Sequence, residues 1–579
     1  MSHPFQSDTH VSQLSSASQR SAQVRNTLIE VTWPVLVYIV ASFATKAYFM
    51  GDTRDYADSI AARAIGRDYY FWEFGHILWR PLGYVVFRIC QPLTAYFVGA
   101  DVLIQATLVL LVLSWLSGLV SVLLVHSFLS RVCRNRWVVH ASIITFVFSL
   151  SFLNYFHSGT PYIPGLSLIV LALFLSNSVR HDEAVIVGRS VAAAFALAGA
   201  VLIWFPYVVV TPAVVLSPGF LFGFKKRRLV LASQTLMIAG ALTIAVYAAV
   251  AWHIGVHSPT EFKAWLTVTS GGSGSAANSG ITKTIFGFAR AFVSMGNDGI
   301  LFKRYLLHDP FNAVSFFDLV RLSLWKLLAF YLFLLAVALS LLGFPRGRRV
   351  LALLAVAGIP VIAFAIYWQG GDPERYLPLL PFLVLAVGLT LDERPRFRLR
   401  QVILIFVIGA AGINLFALAT PRINRQQELS AARVTALLPN LKSNSVVVTA
   451  NWQDELVNFN RTFPFNPINR NDNLHIGSLI TPGRSDAASW RYDFSKGAKS
   501  VWEKGGDVWL SKRLFAKRPQ PAWNWVEGDT PGVSWTDLYT FSSQLDVASS
   551  IGDEDGFVLL LPSEHNKGTL GQTGPQAKN

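Results

Sequence analysis

The string GDTRDYADSIAARA (51–64) sets Asp52, Asp55 and Asp58 three residues apart, directly after the first long apolar run. On a helix this spacing gathers carboxylates towards one face, and a carboxylate beside a membrane surface can take a proton from a hydroxyl or an amine. The same residues also open helices, where orphan N–H groups and the helix dipole favour acids, so capping accounts for Asp52 or Asp55 equally well. Downstream, FWEFGHILWRPLGY (71–84) carries Glu73, His76 and Arg80 at i, i+3 and i+7 between Phe71, Trp72, Phe74 and Trp79. That pattern predicts a helix lying at the interface, with its polar side either simply solvated or turned to a ligand.

Basic residues form the complementary set. Lys303 and Arg304 sit in KRYLLHDP (303–310), and Arg375 and Tyr376 sit in WQGGDPERYLPLLP (368–381). By the topology derived below these lie outside the membrane, where positive charge is less expected close to span ends. They suit a phosphate at headgroup depth, and contact with anionic lipid headgroups explains them equally well. A Gly- and Ser-rich stretch, TSGGSGSAANSG (269–280), suits a lid over a substrate cleft.

These residues need elements to hold them, and the composition says which kind. The 579 residues are 52% hydrophobic and only 14% charged, too apolar for a soluble globule of this size. A net charge of +15 invites a nucleic-acid partner, but the Lys and Arg residues fall in short clusters between apolar runs, not on one module. Topology accounts for them, and no nucleic acid is expected. Apolar runs of spanning or near-spanning length lie at about 31–50, 102–129, 137–155, 162–177, 189–205, 206–222, 228–252, 321–343, 350–368, 376–391 and 401–419. The first lacks a small-residue cleavage site and reads as a signal anchor.

Charge parity decides whether 189–222 is one kinked helix or two. The clusters RVCRNR (131–136), FKKRR (224–228), FPRGRR (344–349) and RPRFRLR (394–400) all reach the cytoplasm, with Arg20 and Arg25, only if 189–222 crosses twice. About eleven transmembrane helices follow. The expected fold is an all-α polytopic membrane domain over 31–419 with external loops at 51–101 and 253–320, preceded by a structureless cytoplasmic N-terminus (1–30). Residues 420–562 change to short apolar runs such as SVVVTA (445–450), which predict a small extracytoplasmic α/β domain, and 563–579 carry no periodic pattern. Cys90 and Cys133 fall on opposite sides and cannot pair.

Several of these features together resemble the GT-C superfamily of polytopic glycosyltransferases. They are an acidic first external loop after a signal anchor, a G-H-x-L-x-x-P-L element (Gly75, His76, Leu78, Pro81, Leu82), a late external E-R-Y-x-P hairpin and an external C-terminal domain. That superfamily includes protein O-mannosyltransferases and the lipid A aminoarabinose transferase. The resemblance implies transfer of a sugar from a polyprenyl-phosphate donor to a glycolipid, polysaccharide or protein on the outer face of the plasma (inner) membrane. Asp52 or Asp55 would be the general base, and Arg80, Lys303, Arg304 or Arg375 would hold the departing phosphate, with inversion at the sugar. Glu73, His76, His157 and Tyr376 would support them. His157, in NYFHSGTPY (154–162), stands where many relatives carry an acid, and D-x-x-D replaces a D-x-D often linked to a divalent ion. A Mg or Mn ion is therefore left open, with Asp52, Asp55 and Asp309 as its only nameable ligands.

Two other classes compete. A lipid or sugar flippase or transporter would also be polytopic and basic, but would show broken helices in matching halves and ionisable groups near the midplane. A non-catalytic scaffold with an external binding domain would tolerate loss of every external acid.

Overall fold

The computed structural model describes residues 32–46, 52–67, 71–177, 184–269, 280–295, 305, 314–393, 397–419, 432–451, 474–480, 489–517, 533–551 and 556–571. Helices dominate up to Ala419. Among the described residues, seven helices are long and apolar enough to cross a membrane, and four shorter apolar helices (Thr32–Ala44, Arg136–Val147, Tyr162–Ser176 and Val187–Ile203) occupy other stretches that the hydropathy pattern marks. The chain is a multi-pass membrane protein. Pro373–Asp392 is the central helix, with 94% of its apolar window buried, whereas Lys226–His253 has 17% buried and rims the bundle. The hairpin carrying Arg375 therefore leads straight into the middle of the fold.

The bundle has two chemically distinct ends. At one, the Asp392 carboxylate accepts from the backbone N–H of Arg134 (2.9 Å) and Asn135 (2.8 Å). Arg346 there donates to the Val132 carbonyl (3.0 Å) and pairs with Glu393 (3.6 Å). These contacts bring two of the four basic clusters, 131–136 and 344–349, to one place beside Asp392 and Glu393. Arg228, in the fourth, donates to the carbonyls of Phe222 and Gly223, and Arg349 approaches Gly223.

Helix α8 (Ala184–Ile203) leaves that end beside Arg131 and finishes at the other, where the Leu202 carbonyl accepts from the Leu78 N–H (3.0 Å). Trp204 then takes an extended conformation (φ −148°, ψ 104°), Pro206 starts a 3-10 turn over Phe205–Val210, and α9 (Thr211–Phe222) returns. So 189–222 traverses the bundle twice, as charge parity predicts. Proline is what permits the break, since its missing N–H is no loss in a first turn.

A buried amide joins the irregular pieces. Asn414, on Phe397–Ala419, donates to the carbonyls of Phe148 and Phe292 and accepts from the Ser294 N–H, each at 2.7 Å. Two of these groups close helices and the third lies just past one, so they need a partner in an apolar interior.

The C-terminal domain is a five-stranded sheet of order β2-β1-β3-β5-β4. Its strands are β1 (Ser445–Asn451), β2 (Leu474–Ile480), β3 (Val508–Ser511), β4 (Val547–Ile551) and β5 (Phe557–Leu560), with helices such as Trp490–Glu503 and Trp535–Ser542 among them. β1 is parallel to β2 and β3, and β5 is antiparallel to β3 and β4. The stretch from 563, expected to lack structure, instead carries a helix over Glu564–Gly571. Periodicity missed it because tertiary contacts hold it: Leu570 is buried, its carbonyl accepts from Ser495, and Asn566 donates to the carbonyls of Asp546 and Leu561.

Candidate active site

At the end opposite the basic clusters, four segments distant in sequence meet: the helix α2 (Thr53–Ala64), the 71–80 segment, the 154–162 turn and the 369–376 hairpin. Thr53 opens α2 and donates to the Ser158 carbonyl, while Gly159 (φ +65°) leaves room for the Thr53 methyl group. A side chain there would meet Thr53 and Leu110, so the close approach requires glycine.

Asp52 occupies the position before α2, but its side chain makes no capping hydrogen bond. Successive helix residues turn by about 100°, so i+3 and i+6 drift by about 60° and 120° while i+4 returns to within about 40°. The three acids therefore do not share a face. Tyr56 accompanies Asp52 inward, Asp55 is exposed, and Asp58 pairs with Arg54 at 3.7 Å. Burial pushes the Asp58 carboxyl up to about 6, with Arg54 holding it down and Asp55 pushing it further up.

The 71–84 stretch is not the single interfacial helix its spacing suggests. Phe74–His76 form a short 3-10 turn and the helix Trp79–Val98 begins only after it. The reason is an aromatic socket: Phe74 packs on Phe205, Tyr247, Phe262 and Trp265, Tyr247 donates to the Phe74 carbonyl, and Trp265 to that of Trp72. Folding back in this way brings Arg80 onto Glu73 as an ion pair and sets its guanidinium 4.8 Å over the Tyr56 ring. His76 is buried, with Nε2 3.1 Å from the Tyr56 hydroxyl. Its ring is pushed down to about 3, by burial first and by Arg80 next, with Asp52 opposing and Arg375 adding to the effect. The imidazole is thus neutral at physiological pH and serves Tyr56 as a hydrogen-bond partner, not as an acid.

The hairpin brings the counter-charges. Glu374 is buried and accepts a 2.5 Å hydrogen bond from Tyr155. Arg375 lies 3.9 Å from Glu374, donates to Gln369 Oε1 (2.8 Å) and stands 5.9 Å over the Trp204 ring. Gln369 has φ +50°, a conformation uncommon for a residue with a side chain and held here by that bond. Tyr376 is fully buried, its hydroxyl 2.6 Å from the Gly370 carbonyl, and so pins the loop from within. Helix α12 (Gly280–Phe292) packs on the loop through Gly287, where a Cβ would run into the Gly370 carbonyl, and Arg290 donates to the Gly371 carbonyl at 3.0 Å. Burial raises the Asp372 carboxyl, while Arg375, Arg290 and Lys283 pull it down and Asp52 pushes it up.

Asp52, Glu73, His76, Arg80, Arg375 and Tyr376 are therefore brought to one end of the bundle. Asp55 is not turned into the cluster. His157 faces the end of the first helix, where its Nε2 lies 3.1 Å from Thr45 Oγ1. Burial lowers its ring to about 4. Lys303, Arg304, Asp309 and most of the 269–280 stretch lie outside the described residues. Tyr56, Tyr155, Tyr162, Trp204, Lys283, Arg290 and Asp372 complete the cluster and were not singled out from the sequence, and Glu374, marked there only as the first residue of the E-R-Y-x-P hairpin, joins them. Tyr56 could have been found four residues after Asp52, and Lys283 and Arg290 from the i, i+7 spacing beside Gly280, Thr284 and Gly287.

A divalent ion would need several oxygen ligands together. Among the described residues no three His, Cys, Asp or Glu side chains are grouped to hold one, and Asp372 is surrounded by Arg375, Arg290 and Lys283. Among the described residues, this set does not fit a Mg or Mn site.

No family model matches the chain, and no curated protein matches its sequence. Among solved structures it is similar to ArnT from Cupriavidus metallidurans in the apo state, with a TM-score of 0.51 over 93% of this chain and 98% of that one at 12% identity. The chain has the ArnT fold. The same enzyme bound to undecaprenyl phosphate gives a TM-score of 0.50 at 13% identity and the same coverage. That shared fold agrees with the polytopic helical architecture expected over 1–419. In the ArnT fold as this chain builds it, the acidic loop, the 71–80 segment and the late hairpin close on one another.

Proposed function

We propose that this chain is a GT-C glycosyltransferase that moves a sugar from a polyprenyl-phosphate donor to an acceptor on the extracytoplasmic face of the plasma membrane. The observation that carries the reading is that the first loop and the last hairpin meet in one cluster, where Arg80 pairs with Glu73 and stands over the ring of Tyr56, four residues after Asp52, and Arg375 stands over Trp204, whose ring meets Tyr162. Support also comes from the fold, which is that of a protein solved with undecaprenyl phosphate bound. In this reading the chain crosses the membrane eleven times, with a cytoplasmic N-terminus and the C-terminal domain outside.

Asp52 takes the proton from the acceptor hydroxyl or amine as that group attacks the anomeric carbon. The bond from that carbon to the phosphate oxygen breaks, and the phosphate leaves with the electron pair. Arg375 meets the charge that develops, with Arg80, Lys303 and Arg304 as further phosphate contacts. Glu73 fixes Arg80, Glu374 fixes Arg375, and Tyr376 fixes the loop between them. Attack opposite the leaving group inverts the sugar carbon. A transporter fits less well, because these charges gather at one end of the bundle instead of near its middle.

The test is transfer by the full chain in lipid nanodiscs, offered either polyprenyl-phosphate sugars or nucleotide sugars with a hydroxyl- or amine-bearing acceptor. Product is expected from the lipid-linked donors alone; product from nucleotide sugars alone would overturn the assignment.

A further inference from the structure

Five tyrosines surround the cluster, and four of their hydroxyls are already engaged. Tyr56 meets His76, Tyr155 donates to Glu374, Tyr207 donates to the Tyr162 carbonyl (2.6 Å), and Tyr376 donates to the Gly370 carbonyl. Tyr162 differs. Its ring is buried, with the residue 5% exposed, but its hydroxyl is not among the described side-chain atoms that are both buried and unpartnered, so the oxygen is left accessible. A phenol whose ring is buried while its O–H stays accessible can donate to a ligand that enters the cluster.

Its position is tightly set. Pro161 precedes it at the start of Tyr162–Ser176, its ring meets Tyr155 edge-on at 4.9 Å, and it lies 4.8 Å from Trp204. Gly165, one turn on, lets the Tyr207 ring come close enough to bond the Tyr162 backbone, since a Cβ there would overlap that ring. Trp204 is also the ring over which Arg375 stands. The charged groups that act on Tyr162 are Glu374, Asp52, Arg375 and Asp372, so it shares a neighbourhood with the base and the cation of the proposed reaction. A neutral O–H there can approach an anionic oxygen that a carboxylate would repel, while the neighbouring guanidinium supplies the charge.

We infer that Tyr162 is a phosphate-binding residue whose phenol O–H donates to an oxygen of the lipid-linked donor. This rests on the function proposed above. It is tested by titrating undecaprenyl phosphate, and separately undecaprenol, into the full chain in nanodiscs, for the native protein and for Tyr162→Phe, with thermal midpoints measured alongside. A lost hydrogen bond to a charged group weakens binding about tenfold or more. That loss is expected for undecaprenyl phosphate only, with undecaprenol affinity and midpoint unchanged. Native affinity of Tyr162→Phe for both lipids would overturn the inference. An equal loss for both, or a lowered midpoint, would make the role structural and overturn it as well. If the native chain binds the phosphate no better than the alcohol, the carrier assignment itself falls.

Discussion

Replacing Asp52 by Asn lowers sugar transfer by about 10²- to 10⁴-fold, the range that a positioned general base contributes, and leaves the protein at its native abundance. Asp55→Asn, by contrast, stays within about twofold, as surface substitutions do. Both residues sit in the same D-x-x-D string, and the difference between them is a matter of helix geometry. Asp52 precedes the first turn, uses no side-chain oxygen for capping and acts on Tyr56, His76 and Asp372. Asp55 is turned out by the helical twist and is exposed. The measurement is initial-rate transfer from a polyprenyl-phosphate sugar, normalised to membrane-extracted protein. Equal losses from the two substitutions would mean that the string acts as a unit, contrary to this geometry.

The second large effect belongs to Arg375. Its removal takes away a cation from Glu374, which is 6% exposed, and breaking a buried pair by deleting one partner typically costs about 3–5 kcal/mol. Losing one preorganised donor to a developing anion costs a further 10²–10³-fold in rate, as an order of magnitude. Arg375→Ala is therefore expected to lower both the thermal midpoint and transfer. Pairing it with Glu374→Gln should recover much of the midpoint, because no uncompensated carboxylate is left at 374, and none of the transfer. Arg375→Lys keeps the charge but cannot both bond Gln369 and spread over Trp204 as the planar group does, so it should recover stability more than rate. Recovery of transfer in the double variant would place the phosphate elsewhere.

Much of this architecture was legible in the residues. Long apolar runs name helices because a bilayer leaves the backbone no other partner, and four basic clusters set the parity that sends 189–222 across twice. In the structure that stretch runs to Leu202 at one end of the bundle and back to Gly223 at the other. The site was legible in outline only. Spacing put Glu73, His76 and Arg80 on the polar side of one helix, whereas a fold-back held by Phe74, Tyr247 and Trp265 brings Arg80 onto Glu73. Tertiary packing of this kind leaves no periodic trace. The same holds for Tyr155 and Glu374, which meet at 2.5 Å from elements far apart in the chain. Nothing in the sequence near either residue names the other. His157 shows the converse, a residue marked by its place in a motif whose ring turns to Thr45 and the first helix.

The central claim is that a lipid-linked phosphate departs between the Asp52 carboxylate and the Arg375 guanidinium. A cryo-EM map of the full chain in nanodiscs with undecaprenyl phosphate tests it most directly. The phosphate is predicted to lie within hydrogen-bonding distance of Arg375 and Tyr162, with Asp52 facing it across the space for an acceptor. A phosphate bound at another end of the bundle, with Asp52 directed into bulk water, would contradict it.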